Sequence, residues 1–384
     1  MDPSPILTPV DAELNVLCEE LAAACAEQEK SHSPQFPSTK LASWPAEQLA
    51  WCGQRGVFRW SASRDVGGTA WSDADQLRGY LRLGESCLTT AFVLTQRTAA
   101  STRLAESANL ELRGRLLPDL LAGRTFATVA ISQLTTSRRH LGTAALRASE
   151  SAGGYRLNGY SPWVTGAAFA DWLAVGAVLD DGRQLLAAVP ARARGITIDP
   201  PHELIALDAS HTGSVRFDDV AVPQDWVVAG PSDQVLRTAR SGGSGGLQTS
   251  ALALALVARA VGYLESEAER RGDLTAVART LRDEWRTARS RLLAEAGDPL
   301  ETQQAPVPCT HFSGAAGMTG VETLRAWSND LALRASQAAL IAAKGTGFVA
   351  GHPAGRWCRE ALFFLVWSCP PGVLAAHLRD WTDQ

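Results

Sequence analysis

The stretch GYRLNGYSPWVTGAAFADWLAVGA (residues 154–177) alternates apolar and polar side chains with a period of two, which is a strand pattern. Asn158-Gly159 lies between alternating residues and reads as a hairpin turn. Trp163 and Thr165, two apart, fall on one face of a strand. Periodicity alone favours core packing for that pair; the alternative is a site where a flat ring lies on the indole and the hydroxyl bonds its edge. In DWLAVGAVLDDGRQLLAAVP (residues 171–190) two apolar runs flank Asp180-Asp181-Gly182, which predicts a second hairpin. SVRFDDVAVP (residues 214–223) alternates again and stops at Pro223. Strands at this spacing predict a small barrel or sandwich over residues 126–235.

Helical patterns flank these strands. In residues 1–125, Ala12, Leu14, Val16, Leu17, Leu21 and Ala22 recur at helical spacing, and Leu81, Leu83, Leu88, Phe92 and Val93 repeat the pattern. The paired glycines of RDVGGTAW (residues 64–71) mark a loop between them. Residues 236–384 return to helices after a flexible SGGSGG boundary at 241–246. SALALALVARAVGYL (residues 250–264) is apolar nearly all round, which predicts a helix buried in a bundle or a subunit interface. A long helix is expected from about Val321 to Ala343. The order is helices, strands, helices, an α+β arrangement with no βαβ alternation.

The totals narrow the function classes. The chain has 384 residues, 46% hydrophobic and 20% charged, with a net charge of -4, so nothing calls for nucleic acid or an anionic membrane as a partner. Seven cysteines, at 18, 25, 52, 87, 309, 358 and 369, form no CxxC and read as reduced thiols of a cytoplasmic protein. The start MDPSPILTPVDAE lacks the basic and apolar segments of a signal peptide. The apolar run 361–369 is shorter than the ~20 residues that a membrane span needs.

Familiar catalytic motifs are missing: there is no GxSxG, HExxH, Walker sequence or GxGxxG. The histidines at 32, 140, 202, 211, 311, 352 and 377 show no metal-ligand spacing and read as surface or cap residues. Lys344-Gly345-Thr346-Gly347 follows a helix and reads as its C-cap. Arg282, Arg286 and Arg289 share a helical face, either solvated and paired with acids or a phosphate cradle. Ser137-Arg138-Arg139-His140 is either a basic loop tip or an anchor for a phosphorylated substrate.

Taken in order along the chain, five segments resemble the acyl-CoA dehydrogenase superfamily. RGVFRWSASRDVGG (residues 55–68) is similar to its proline- and glycine-containing N-terminal loop, and LLPDLLAGRTFATVAIS (residues 116–132) to its L-P-x-L-x-x-G lead into the first strand. The opening stretch resembles the segment whose W-(I/V)-(T/S) packs on a flavin. LDASHTGSVRFDDVAVPQDWVVAG (residues 207–230) resembles the following F-x-D-V-x-V-P block, and KGTGFVAGHPAGRWCREA (residues 344–361) the G-G-x-G…R-x-x-R-D-A block. The resemblance implies an N-terminal helical domain, a middle β-barrel domain and a C-terminal four-helix bundle. It implies FAD between barrel and bundle, a homodimer or homotetramer, an acyl thioester or related small-molecule substrate, and an electron acceptor. By position it implies Ser132, Trp163, Thr165, Lys344, Gly345 and Gly347 as cofactor-binding residues, with Trp163 against the isoalloxazine and Thr165 near its N5 and O4.

The departures are as informative. The family's T-E-P-x-x-G-S-D is SQLTTSRRH here, so Arg138 and Arg139 become the candidates for holding a substrate phosphate. Its Q-x-x-G-G-x-G is IAAKGTG, and its R-x-x-F-G has no clear counterpart near EAERRGDLTAV. Its glutamate base, counted on from Arg359, falls on Ser368 in VWSCPPGV (residues 366–373). The alternative site for that base, on the first bundle helix, falls at about Leu252. A serine without an adjacent base is a poor proton acceptor. Glu360 is expected to pair with an arginine. Three functions follow: a dehydrogenase with an unidentified base, a two-component flavin monooxygenase served by a flavin reductase and using FAD or FMN, and a non-catalytic relative.

Overall fold

The structure, a computed structural model, describes residues 4–31, 42–135, 144–236, 246–303 and 318–382. Among the described residues, five α-helices come first: α1 (Ala12–Ser31), α2 (Ala46–Gln54), α3 (Asp73–Ser86), α4 (Leu88–Ala105) and α5 (Leu110–Leu121). Their starts follow from the sequence. Ser72 caps α3 by accepting from the Asp75 N–H, and Asn109 caps α5 by accepting from the Leu112 N–H.

The strands follow: β1 (Ala127–Ala130), a single helical turn α6 (Ser132–Thr135), β2 (Leu146–Ser151), β3 (Gly154–Thr165), β4 (Trp172–Leu179), β5 (Gln184–Pro190), β6 (Ile196–Ile198), β7 (Thr212–Pro223) and β8 (Val227–Ser232). They form one eight-stranded sheet in the order β6-β7-β3-β2-β4-β5-β8, with β1 parallel to β4. One face of every strand feeds a single apolar cluster that includes Leu157, Val175, Ala187, Val215 and Val227, as in a barrel. The outer faces of β1, β4, β5 and β8 pack on Leu104, Leu112, Leu117 and Leu120 of α4 and α5. Burial on both faces explains why WLAVGAVL and QLLAAVP are continuous apolar runs.

The hairpin at Asp180-Asp181-Gly182 joins β4 to β5, with Gly182 at φ +90°. The hairpin expected at Asn158-Gly159 is not there: both residues stay inside β3, paired with Arg147 and Leu146 of β2. The chain bulges instead, with a register shift against β7 between Leu157 and Gly159. Gly159 has φ +123°, and a Cβ there would lie 2.1 Å from the Ala145 carbonyl oxygen. A glycine's access to positive φ serves a bulge as well as a turn, and local sequence does not separate the two. The reversal between β2 and β3 falls at Ala152-Gly153.

The remaining helices are α7 (Leu247–Ala268), α8 (Thr275–Glu295), α9 (Pro299–Gln303), α10 (Gly320–Ala343), α11 (Pro353–Val366) and α12 (Pro371–Thr382). Helix α7 is long and apolar enough, by length and composition, to cross a membrane, but 72% of its most apolar window is buried inside the protein. It is the central helix, and Leu252, Leu254, Val257 and Val261 are fully buried. Small residues let neighbours approach: a Cβ at Gly84 of α3 would lie 2.8 Å from that of Ala255. Helix α10 starts at a capping box of Thr319 and Glu322. Arg282, Arg286 and Arg289 pair with Glu265 at 2.8 Å, Asp283 at 3.0 Å and Glu301 at 3.7 Å, which is the acid-paired arrangement, although only Arg286 is exposed.

Candidate active site

A cleft of about 1750 Å³ lies among the sheet, α3, α4 and the end of α11. Ser132, Trp163, Thr165 and Ser368 all line it. Local irregularity of β3 aims the tryptophan. A register shift between Ser161 and Val164 turns Trp163 outward, so that the residue is 51% exposed. That excludes the core-packing alternative for Trp163. Its centroid lies 4.8 Å from the His202 ring, at 62°.

Behind the indole runs a chain of hydroxyls. The backbone N–H of Trp163 donates to Ser132 Oγ at 3.3 Å, and Ser132 Oγ is 3.3 Å from Ser161 Oγ. Ser161 donates to Gln133 Oε1 at 2.8 Å. Thr165 is buried, with Oγ1 2.9 Å from Thr212 Oγ1, which is also 2.9 Å from Ser210 Oγ. Thr212 and Ser210 were not singled out in the sequence, although they sit in the polar lead-in to β7.

The end of α11 is another wall of the cleft. The helix ends at Val366, and Pro371 opens α12. Between them Ser368 has φ +46°, a left-handed conformation that costs a non-glycine residue about 1–2 kcal/mol. The segment is held from behind by α10. Arg325, fully buried, donates through Nη2 to the carbonyls of Phe364 at 3.0 Å and Trp367 at 2.9 Å. Asn329 Nδ2 donates to the same Phe364 carbonyl at 3.0 Å. Burial pushes the Arg325 guanidinium down to about 9, slightly offset by the neighbouring Cys369. His377, expected as a surface or cap residue, is 3% exposed in this layer, and its ring lies 3.3 Å from Asn329 Nδ2. It is buried because α12 folds back over α10 after the proline pair. His352 does cap α11, accepting from the Ala354 N–H at 3.2 Å.

Neither place expected for a family base offers a carboxylate. Leu252 is fully buried and packs toward Gly84 rather than lining the cleft. Glu360 is 4% exposed and 3.5 Å from Arg356; burial pushes its carboxyl up, opposed first by Arg356. Among the described residues lining the cleft, the carboxylates are those of Asp73, Glu106 and Asp180. Lys344, Gly345 and Gly347 lie outside this cleft, in the short turn that caps α10. Arg138 and Arg139 lie outside the described residues. Among the described residues, no group of three or more His, Cys, Asp or Glu side chains could hold a metal.

The site fits the ring end of a flavin. A half-exposed indole offers a flat face, the Ser132 and Thr165 hydroxyls can meet a polar edge, and the cleft exceeds the few hundred Å³ of a typical ligand pocket.

No protein-family model matches the chain. An L-prolyl-(peptidyl-carrier protein) dehydrogenase of Pseudomonas fluorescens is 24% identical over 215 residues, 54% of this chain and 54% of that protein, so the match spans about half of this relative. The butyryl-CoA dehydrogenase of Megasphaera elsdenii superposes with a TM-score of 0.73 at 14% identity, covering 95% of this chain and 98% of that one. An FAD complex of PigA superposes with a TM-score of 0.76 at 16% identity, covering 97% and 98%.

Proposed function

We propose that this chain, whose fold is that of the acyl-CoA dehydrogenases and whose sequence and structural neighbours belong to that family, is an FAD-dependent oxidoreductase acting on the CH–CH group of an acyl thioester or a related substrate. The observation that carries this reading is the half-exposed Trp163, backed by buried hydroxyls, facing the cleft that Ser368 closes. FAD, when bound, supplies a hydride acceptor. The protein's own part is to present the Trp163 face and the Thr165 and Ser132 hydroxyls, and to exclude water with the α4 and α11 side chains. The substrate's α-proton would leave to a group other than residue 368, since a serine hydroxyl lacks the pKa for that role.

The test is anaerobic mixing of the FAD-loaded protein with acyl thioesters. Bleaching of the flavin supports dehydrogenation; a flavin that stays oxidised with every thioester rules it out. One observation favours a second reading. The Trp367–Cys369 wall and Leu252 both lack a carboxylate, which a two-component flavin monooxygenase would not need. Oxygenated product from the reduced holoprotein, substrate and oxygen would establish that alternative.

We read the protein as cytoplasmic and as a homodimer or homotetramer. Exposed Ile341, Phe348 and Val349 beside Lys344–Gly347 support association of copies at that end of the bundle.

A further inference from the structure

Three rings, Phe92 of α4, Phe363 of α11 and Trp367 just past its end, line the cleft next to Ser368. Trp367 stacks on Phe363, with centroids 5.0 Å apart and planes at 16°. Phe92 of α4 meets Trp367 edge-on at 4.9 Å and 84°, and meets Phe363 edge-on at 5.1 Å and 75°. Ring centroids about 5 Å apart are in van der Waals contact, so no gap the width of a polymethylene chain remains between them. Phe92 is 4% exposed, and the carbonyls of Phe364 and Trp367 are held by Arg325, with Asn329 also on that of Phe364. The wall is therefore packed from behind as well as across. Trp163 and the Trp367–Ser368 segment line the same cleft, so a carbon reacting there has both as walls. From there, an acyl tail that points toward α4 meets the three rings.

Resting on the thioester reading above, we propose that the acyl group is compact, a short chain or a small ring, and that Phe92, Phe363 and Trp367 set this limit. An open apolar channel would tighten binding about fourfold for each added methylene. A closed aromatic wall stops that gain and then penalises each further carbon, because packed rings must leave their places. The flat stacked faces of Phe363 and Trp367 suit a small ring as well as a short chain.

The test uses the full-length FAD-loaded protein and acyl-pantetheine thioesters, whose arm is shared by CoA and carrier-protein substrates. Acetyl, butyryl, octanoyl and palmitoyl thioesters are titrated by calorimetry and by the change in the flavin visible spectrum. Affinity is expected to rise from acetyl to butyryl and then fall about tenfold or more at octanoyl. Trp367→Ala and Phe92→Ala should each tighten octanoyl binding about tenfold relative to wild type. If one variant does not fold, the other and the wild-type series still decide. Octanoyl binding as tight as butyryl in the wild type overturns the size limit and leaves the thioester reading standing. With FAD bound, no response to any thioester overturns that reading and the limit with it.

Discussion

Arg325 donates a 2.9 Å hydrogen bond to the carbonyl of Trp367, the residue that precedes Ser368 in the cleft wall. A fully buried guanidinium thus fixes the first of the two places where family resemblance puts a catalytic carboxylate, the one where this chain has a serine. Replacing Arg325 by alanine leaves a cavity and strips the Trp367 carbonyl of its donor. The expected cost is about 2–4 kcal/mol of folding stability. Asn329→Ala should cost less, since the Phe364 carbonyl keeps its Arg325 bond. Chemical denaturation of both variants measures the difference.

His377 gives the same layer a pH dependence. Burial lowers its pKa below 6.5, helped by Arg325 and opposed by Asp330 and Asp380. A histidine whose folded pKa is depressed binds fewer protons folded than unfolded. Its contribution is complete above 6.5 and is lost as pH falls from there through the folded value. Melting temperature should therefore decline on acidification below 6.5, and His377→Gln should flatten that part of the profile. A variant profile parallel to wild type through this window would exclude His377 as its source.

Trp163 should carry much of the flavin affinity. Stacking of a flat ring on an aromatic side chain is worth about 1–3 kcal/mol. Trp163→Ala is expected to weaken FAD binding by about 5–150-fold, with little change in stability, because half the indole is already exposed. Fluorescence titration of the apoprotein with FAD measures the first, and a thermal melt the second.

How much of this site the sequence discloses depends on how local each feature is. Strand alternation identified β3 and β7, two apolar runs around a turn identified β4 and β5, and the near-uniform apolarity of residues 250–264 identified the buried α7. Period alone favours the core for Trp163. The bulge that turns it outward depends on pairing with β7, nearly fifty residues away, which no local pattern reports. The same bulge-forming property of glycine made Asn158-Gly159 read as a turn. Arg325 gave no signal because it lies on the polar side of the α10 pattern, and only α11 and α12 folding over that side bury it. The aromatic wall is invisible for a similar reason: Phe92 and Trp367 are far apart in the chain and meet only in the fold.

Ser368 offers two substitutions with opposite lessons. Ser368→Gly should raise stability by about 1 kcal/mol, because glycine accepts the φ of +46° without strain. Ser368→Glu puts a carboxylate on the cleft wall. If the wild type lacks a positioned base there, anaerobic flavin reduction by butyryl-pantetheine should accelerate by about 10²–10⁴-fold. An unchanged rate would mean that another group already takes the proton.

The most direct measurement is the visible absorption spectrum of the full-length protein after incubation with FAD and removal of the excess. Flavin bands are expected at about one FAD per chain, shifted from free FAD by the indole, with the shift lost in Trp163→Ala. A protein that keeps no flavin, or keeps it with the same spectrum and affinity when Trp163 is alanine, would contradict the assignment of this cleft.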